Sequence, residues 1–299
     1  MVNTAVIVLH YQNNKDTLQC LSSLTHQGKK PDYSIIMVDN SACPEFDSEV
    51  KNRYPFIHII SNRNMGYAAG NNLGIKGGLK LKCEYFVFLN NDTIVTSHLI
   101  QKMVSFCESD SNIGVISPKI YFAPNFEFHH DRYKNEERGK VIWYAGGIID
   151  WKNIFISHLG MDEVDYGQYE NSLDTDFATG CCMLVRKKII DRIGLFDERY
   201  FLYFEDVDYS LRVKKAGFRV MYFPHGFLWH KNASSSGKPG SDIHLYYQTR
   251  NRLMFGVKYA SWRTKKSLII ESLKYLLGNS IKSKAVRDYY FARFGKGTI

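Results

Sequence analysis

A short apolar run followed by two amides and a carboxylate is the first stretch of this sequence suited to chemistry. Residues 86–89 have the composition of a buried β-strand, which breaks abruptly into Asn90, Asn91 and Asp92. Folding alone does not require these oxygen-bearing side chains at a strand end. At the carboxyl edge of an open α/β sheet, they suit a hard divalent cation that also binds phosphate. The competing interpretation is an Asx turn that closes the strand.

A second candidate site is an acidic pair that follows an aromatic run. Glu205 and Asp206 stand at the predicted start of a helix that ends before Gly217. Capping explains carboxylates there, because the amide dipoles favour anions. Two adjacent acids beside an aromatic wall also suit a general base. His230, at the end of the last apolar stretch, is either a metal ligand or a plain surface histidine.

The elements that must position these side chains alternate between strand and helix. This alternation predicts an α/β fold with a parallel, doubly wound sheet. We predict strands over residues 5–9, 33–38, 56–60, 86–89, 113–117, 182–185 and 219–223. We predict a first helix that starts at Asp16 or Thr17 and another over residues 97–109.

Polar clusters follow three of the predicted strands. They are Asp39-Asn40, Asn62 with Asn64, and residues 90–92. Because the carboxyl ends of parallel strands meet at one edge of the sheet, these clusters predict a polar crevice.

Three glycines recur every fourth residue in the stretch from 64 to 75. Gly66, Gly70 and Gly74 can share one helical face, and each costs a helix about 1 kcal/mol relative to alanine. Their presence indicates close approach of either a neighbouring strand or the phosphates of a ligand. The spacing fits neither the dinucleotide fingerprint nor the P-loop.

Residues 118–175 are predicted to be irregular and too long for a simple connector. We interpret them as an insertion that covers a site. Trp143, Tyr144 and Trp151 within it suit stacking on a sugar ring, although any one such residue is more often part of a core.

The net charge of +9 is concentrated at the C-terminal end. From residue 245 onward there are 12 Lys and Arg against two acids, so the rest of the chain is nearly neutral. A nucleic-acid-binding protein spreads its charge over a groove, so this class is disfavoured and no nucleic-acid partner is expected.

The same tail is predicted to be helical and amphipathic. We therefore divide the chain into a catalytic domain, residues 1–240, and a basic helical extension, residues 241–299. An apolar stripe is predicted from Leu268, Ile269, Leu273, Leu276 and Leu277. Lysines 265, 266, 274, 282 and 284 provide charge. Such a segment either packs on the body or lies on an anionic membrane surface.

Cysteine usage and the N-terminal residues indicate a cytoplasmic protein. The six cysteines show no metal-binding spacing, which favours reduced thiols. The first residues lack the regions of a signal peptide, and no apolar run reaches the ~18 residues that span a bilayer.

Taken together, the motifs resemble those of the family 2 inverting glycosyltransferases of GT-A fold, in the bacterial polysaccharide, rhamnosyltransferase-like group. The resemblance extends over residues 1 to about 255 and leaves the tail unmatched. The matching stretches are VIVLHYQN, IIMVDNSA, NRNMGYAAGNNLGI, FLNNDT, DTDFATGCCMLVRK, FLYFEDVDYSLRVKKAGF and the H-x₄-S pattern from His230 to Ser235. The resemblance implies a Rossmann-like, mostly parallel sheet flanked by helices.

The resemblance also implies which residues bind the nucleotide. Tyr11 and Asp39 match positions that hold the base. Asn64, Gly66 and Asn71 match the loop and helix start near the ribose and diphosphate.

The remaining site residues are assigned by the same resemblance. Asn91 is assigned to the nucleotide, and Asp92 to a Mg²⁺ or Mn²⁺ ion that bridges the diphosphate. His230 completes the metal site, and Asp206 is the general base, with Glu205 next in line.

Two departures from the family pattern affect these assignments. Asn90 and Asn91 leave a single carboxylate for the metal, which implies modest, substrate-assisted affinity. His10 and Gln12 replace the asparagines usual beside Tyr11, so the contacts to the base are less certain.

The predicted activity is transfer of a sugar, with rhamnose a candidate, from a dTDP- or UDP-linked donor. The acceptor is a hydroxyl of a growing saccharide, lipid-linked on the inner face of the plasma membrane. One rival is a binding protein of the same fold without catalysis. A sugar nucleotidyltransferase ranks lower, because the loop after the first strand has no glycine. We expect Asp39, Asp92, Asp206 and His230 to converge on one cleft.

Overall fold

The computed structural model of the chain describes residues 3–25, 30–232 and 240–299. Ser235 of the H-x₄-S pattern lies outside the described residues. Within them, ten strands form one sheet and two more form a separate hairpin. The strands are β1 Thr4–His10, β2 Ser34–Asp39, β3 His58–Ser61, β4 Tyr85–Asn90, β5 Thr93–Val95, β6 Ile113–Phe122, β7 Ile142–Tyr144, β8 Gly147–Asp150, β9 Phe155–His158, β10 Leu173–Asp174, β11 Cys182–Arg186 and β12 Arg219–His230.

The helices lie between these strands and after them. A single 3₁₀ turn also occurs at His130–Arg132. The helices are α1 Asn14–Leu24, α2 Pro44–Arg53, α3 Tyr67–Lys80, α4 Leu99–Ser109, α5 Lys187–Ile193, α6 Glu205–Lys215, α7 Asp242–Tyr259, α8 Trp262–Leu273 and α9 Ile281–Tyr290.

The parallel part of the sheet has the order β3-β2-β1-β4, which confirms the predicted mostly parallel α/β fold. Both faces of β1 are buried, which explains its continuous apolar sequence. Ala5, Ile7 and Leu9 face the core shared with α3, α5 and α6. Val6 and Val8 face the core shared with α1, α2 and α4.

The other half of the sheet is mixed and brings distant parts of the chain to the same edge. β11 lies antiparallel between β4 and β6, and β12 runs parallel to β6. The prediction that β12 ends at Phe223 is wrong. The strand passes a register shift between Phe223 and Phe227 and continues to His230. β5 pairs with that last part, so Thr93 lies opposite His230.

The predicted start of the first helix at Asp16 or Thr17 is also wrong. Asn13 is the N-cap residue, in a left-handed conformation with φ 51°, and its side chain accepts a hydrogen bond from the Asp16 amide. The Asp16 carboxylate is used elsewhere, in a buried ion pair with Lys231.

Residues 118–175 are more regular than predicted. They contain the end of β6 and the strands β7 to β10. Strands of two to four residues are too short to show a period of two in the sequence. The Tyr144 ring is fully buried and its hydroxyl donates to the Phe177 carbonyl, so Tyr144 is a core residue. Trp151 stacks on Phe255 of α7, with ring centroids 6.0 Å apart.

The tail is helical, as predicted, but its apolar stripe does not form one face. Leu268 is buried against the body, whereas Ile269, Leu273 and Leu277 are exposed. No helix in the described part of the chain is both long and apolar enough to cross a bilayer.

Candidate active site

The end of β4 and the end of β12 bring Asp92 and His230 into direct contact. Asp92 Oδ1 lies 3.2 Å from His230 Nε2, and both side chains are almost fully buried. The Lys231 amide donates to the Asp92 carbonyl at 3.0 Å. The β5–β12 pairing therefore places a carboxylate and an imidazole, 138 residues apart in sequence, at one point of the crevice.

These two side chains fit a divalent cation whose remaining ligands come from a substrate. A carboxylate oxygen and an imidazole nitrogen are ordinary ligands for Mn²⁺ or Mg²⁺. In the described residues, no group of three or more His, Cys, Asp or Glu is arranged to hold a metal ion. His230 Nδ1 is buried without a hydrogen-bond partner there. Trp143 borders this histidine edge-on, at 4.6 Å between ring centroids.

Asp206 stands in the first turn of α6, where two backbone amides fix its carboxylate. Oδ2 accepts a hydrogen bond from the Gly180 amide and Oδ1 from the Val207 amide, both at 2.8 Å. Burial raises the pKa of Asp206, and these hydrogen bonds oppose the rise. The result is an oriented carboxylate with increased proton affinity, which suits a general base.

Glu205 is the more deeply buried acid of the pair. Its Oε2 atom has no hydrogen-bond partner among the described residues. Burial, and then the charge of Asp206, raise the pKa of Glu205 well above its ordinary value. Of the two acids, Glu205 is therefore the one whose pKa rises further, and the hydrogen bonds to Asp206 favour its carboxylate form.

The segment before β11 connects the acidic pair to the Asp92–His230 pair. Gly180 donates its amide to Asp206, and the next residue, Cys181, accepts a hydrogen bond from the Asn90 amide at 2.9 Å. Burial, followed by the charges of Asp92 and then Asp206 among other contributions, raises the pKa of the Cys181 thiol. The Gly180–Cys181 segment therefore contacts both Asp206 and the end of β4, two residues before Asp92.

Asp39, predicted to bind the base, is fully buried. Its two oxygens accept hydrogen bonds from the amides of Ser41 at 2.6 Å and Cys43 at 2.7 Å. Tyr11 is half-buried, and its hydroxyl accepts a hydrogen bond from the Gln12 amide group at 3.3 Å.

A series of buried polar side chains leads from Asp39 to Asn91, the residue before Asp92. His10 Nε2 lies 3.9 Å from Asp39 Oδ1, and His10 Nδ1 hydrogen-bonds with Thr17 Oγ1 at 2.7 Å. The Asn91 side chain donates to the same threonine at 2.8 Å. Asn91 is therefore directed toward α1, next to Asp92 in the chain.

The glycine-rich stretch forms the start of α3. The Asn64 side chain accepts a hydrogen bond from the Gly66 amide at 2.9 Å. A Cβ atom on Gly66 would lie 2.5 Å from the Phe201 carbonyl oxygen, just before the acidic pair. Asn71 is buried and donates to the Tyr67 carbonyl at 3.1 Å. Its Oδ1 has no partner in the part of the chain that the structure describes.

The other glycines of α3 accommodate the sheet. A Cβ atom on Gly70 would clash with the Leu9 side chain of β1, and a Cβ atom on Gly74 would clash with that of Ile7. Gly70 and Gly74 therefore allow close approach of a neighbouring strand, as one of the two sequence interpretations expected, and not of ligand phosphates.

The sequence reasoning missed two residues that brace the acidic pair. The Tyr67 hydroxyl donates to the Gly180 carbonyl at 2.5 Å, which fixes the loop that binds Asp206. The fully buried Asn251 of α7 donates to the carbonyls of Tyr200, Leu202 and Tyr203. The available signal was two adjacent polar residues, Arg250 and Asn251, among the aromatic and apolar residues of α7.

Solved structures with a similar fold are glycosyltransferases. GalNAc-T7, solved with UDP, GalNAc and Mn²⁺, matches with a TM-score of 0.64 and 13% identity, over 97% of this chain and 54% of that chain. The mannosyltransferase PcManGT from Pyrobaculum calidifontis, solved with GDP-Man and Mn²⁺, matches with a TM-score of 0.55 and 14% identity, over 99% and 76%. These likenesses establish the GT-A fold.

Relatives by sequence include named glycosyltransferases. The N-acetylglucosaminyl-diphospho-decaprenol L-rhamnosyltransferase of Mycobacterium tuberculosis is 35% identical over 269 residues, 86% of this chain and 85% of that protein. Rhamnosyltransferase WbbL of Escherichia coli is 26% identical over 83% of this chain and 85% of its own length. The hexosyltransferase Agl10 of low-salt glycan biosynthesis in Haloferax volcanii is 22% identical over 84% and 74%.

The match to a protein family covers most of the chain. The family model described as glycosyltransferase like family 2 matches residues 2–256, from β1 into α7. This range includes the Asp92–His230 pair and both acids at the start of α6. Together with the rhamnosyltransferase relatives and the GT-A fold, the match shows that this chain belongs to glycosyltransferase family 2, in its rhamnosyltransferase-like group.

Proposed function

We propose that the protein transfers a rhamnose-like sugar, with inversion, from a dTDP- or UDP-linked donor to a lipid-linked saccharide of a surface polysaccharide. The observation that supports this most directly is that the Gly180–Cys181 segment hydrogen-bonds both with Asp206 and with Asn90, two residues before Asp92 of the Asp92–His230 pair. The 35% identical relative, a rhamnosyltransferase named for a decaprenol-linked diphosphate acceptor, supports both the sugar and the lipid-linked acceptor.

Asp92 and His230 would hold Mg²⁺ or Mn²⁺ against the donor diphosphate. The bound cation neutralises negative charge on the leaving diphosphate. The Mn²⁺ in both solved GT-A relatives supports this assignment. With one carboxylate in place of two, the pair binds the cation weakly until the diphosphate supplies further oxygens.

Asp206 accepts the proton of the acceptor hydroxyl. The hydroxyl oxygen forms a bond to the anomeric carbon as the bond between that carbon and the diphosphate oxygen breaks. Attack from the face opposite the diphosphate inverts the anomeric centre. The Gly180 and Val207 amides hold both carboxylate oxygens in place, so the base is oriented before the acceptor arrives.

A nucleotide-sugar binding protein without catalysis is the second candidate. The observation in its favour is the loss of a second carboxylate at Asn90. The oriented, hydrogen-bonded carboxyl group of Asp206 argues against it, because binding a donor needs no base in that position.

We also propose a cytoplasmic location with attachment to the inner face of the membrane. All six cysteines are free thiols, which supports a reducing compartment.

The experiment is a screen of UDP- and dTDP-sugars that measures nucleoside diphosphate release with and without Mn²⁺, for wild type and Asp206→Asn. We expect Asp206→Asn to lower turnover about 10²–10⁴-fold, while calorimetric donor binding persists. Asp191→Asn, an exposed carboxylate of α5, is the matched control and should retain full turnover. Near-normal turnover of Asp206→Asn would refute the assigned base. Donor binding without turnover by the wild type would favour the binding protein.

A further inference from the structure

The outward face of α8 is apolar, which is unusual for a surface helix. Trp262, Ile270 and Leu273 expose 69%, 50% and 50% of their surface, and Ile269 exposes 39%. Leu277, in the turn after the helix, is 98% exposed. Trp262, Ile269, Ile270 and Leu273 fall within about one third of the helix circumference at 100° per residue, so they form one stripe along α8, which Leu277 extends.

The opposite face of α8 attaches the helix to the body. Leu268 is buried, and its Cδ1 atom closely approaches Gly256 of α7. Ser272 is also buried, and its hydroxyl hydrogen-bonds with the Tyr290 hydroxyl at 2.7 Å. These contacts use the other side of the helix and leave a large part of the stripe exposed.

Positive charge surrounds the stripe. Lys266 lies within it, and Arg263 and Lys274 lie beside it. None of these three forms an ion pair with another described residue. The single acid of α8, Glu271, points to the other side and pairs with Arg252 of α7 at 3.2 Å. The surface is therefore both apolar and cationic, with no acid of α8 on the same side.

We propose that this surface, defined by Trp262, Ile269, Ile270, Leu273 and Leu277, docks on a bilayer that contains anionic phospholipid. The apolar side chains enter the boundary between headgroups and acyl chains, and the lysines bind lipid phosphates. Docking would bring the enzyme to a lipid-linked acceptor in the same bilayer, and this biological role rests on the proposed function. The structural argument does not depend on the acceptor.

A second copy of the chain fits this surface less well than a lipid does. A two-fold dimer through the stripe would bury Lys266 of both copies in the interface. Like charges in a desolvated interface are unfavourable, whereas an anionic lipid surface neutralises them.

The test is flotation of the full chain with vesicles of phosphatidylcholine, with or without phosphatidylglycerol. We expect binding to the anionic vesicles and a decrease in vesicle affinity of about tenfold or more for the double variant I270S/L273S. Tyr166→Ser, which removes a similarly exposed ring (79%) far from α8 in sequence, is the matched control and should bind like wild type. Equal melting temperatures verify that the variants fold.

A charge variant tests the second part of the proposal. K266E/K274E should lose binding to anionic vesicles, and raised salt should weaken wild-type binding. Undiminished binding by I270S/L273S, or no binding by wild type, would overturn the proposal. A wild-type dimer that the double variant converts to a monomer, without vesicle binding by either, would identify a protein interface instead. Transfer to a water-soluble acceptor, which should be equal for wild type and I270S/L273S, tests the proposed function separately.

Discussion

Burial of the Glu205 carboxyl group lowers the free energy of unfolding. Because its pKa in the folded protein is raised well above the ordinary value of 4.5, the folded state keeps a proton that the unfolded chain releases. The free energy of unfolding therefore falls as the pH rises from the unfolded pKa toward the folded one. Below the unfolded pKa the carboxyl group is neutral in both states, and the cost disappears.

Glu205→Gln should remove this pH dependence, because the amide has a similar shape and no charge. We expect the variant to exceed wild type in unfolding free energy by about 1–3 kcal/mol near pH 8 and to match it near pH 4. Urea unfolding at both pH values measures the difference. Glu49→Gln, at an exposed position of α2, is the control. An advantage that does not grow with pH would contradict the protonated state assigned to Glu205.

His230→Ala should lower the affinity for the metal ion that supports donor binding. Loss of a protein ligand leaves Asp92 alone against the cation, so the Mn²⁺ concentration for half-maximal binding should rise about tenfold or more. Calorimetric titration with the nucleoside diphosphate and increasing Mn²⁺ measures this. His225→Ala, an exposed histidine of the same strand, should leave the titration unchanged. An unchanged titration for His230→Ala would remove this histidine from the metal site.

The candidate residues at strand ends could be found from the sequence, and those that brace them could not. Asp92 and Asp206 are polar side chains where folding requires none, so their type and position are informative. Tyr67 and Asn251 act on backbone carbonyls from distant segments, Gly180 and residues 200–203. No local pattern encodes such a contact, because the carbonyl of any residue can accept it.

At the scale of elements, β12 shows why strand ends were misjudged. Pro224 and Gly226 resemble a signal that ends a strand, because proline has no N–H for the hydrogen bonds between strands and glycine weakens a strand. The structure accommodates both within an irregularity between Phe223 and Phe227. The strand then continues to His230, which reaches Asp92 only because of this continuation.

Helix α3 offers a matched pair of glycines for a packing prediction. A Cβ atom on Gly74 would clash with the branched Ile7 side chain of β1, whereas one on Gly77 would lie 3.0 Å from the terminal carbon of Ile60. Gly74→Ala should therefore destabilise the protein by about 1–3 kcal/mol. Gly77→Ala should be neutral, or stabilising by up to about 1 kcal/mol, because alanine favours the helix. Chemical denaturation of both variants measures the contrast, and equal effects would contradict the close packing of α3 on β1.

At the scale of the whole molecule, the division between catalytic domain and helical extension at residue 240 stays a prediction. The contacts of α7 lead us to propose that the catalytic domain ends later in the chain. Arg250 is fully buried and donates to the carbonyls of Arg199 and Tyr200. Phe201, Tyr203 and Phe204 have left-handed backbones, with φ from 63° to 73°, immediately before the acidic pair. α7 therefore supports a strained turn on which the position of Asp206 depends.

Asn251→Ala tests whether α7 belongs to the catalytic body. The substitution removes three hydrogen bonds from buried carbonyls of that turn, so we expect a loss of about 2–4 kcal/mol in unfolding free energy. We also expect a decrease in kcat that exceeds the change in donor affinity, because the base shifts while the Asp92–His230 pair does not. Arg252→Ala, the next residue, loses a partly exposed ion pair with Glu271 and exposed hydrogen bonds to the Asn153 carbonyl, and should cost about 1 kcal/mol. Equal kcat values for the two variants would show that α7 is only an appendage, with the boundary at residue 240.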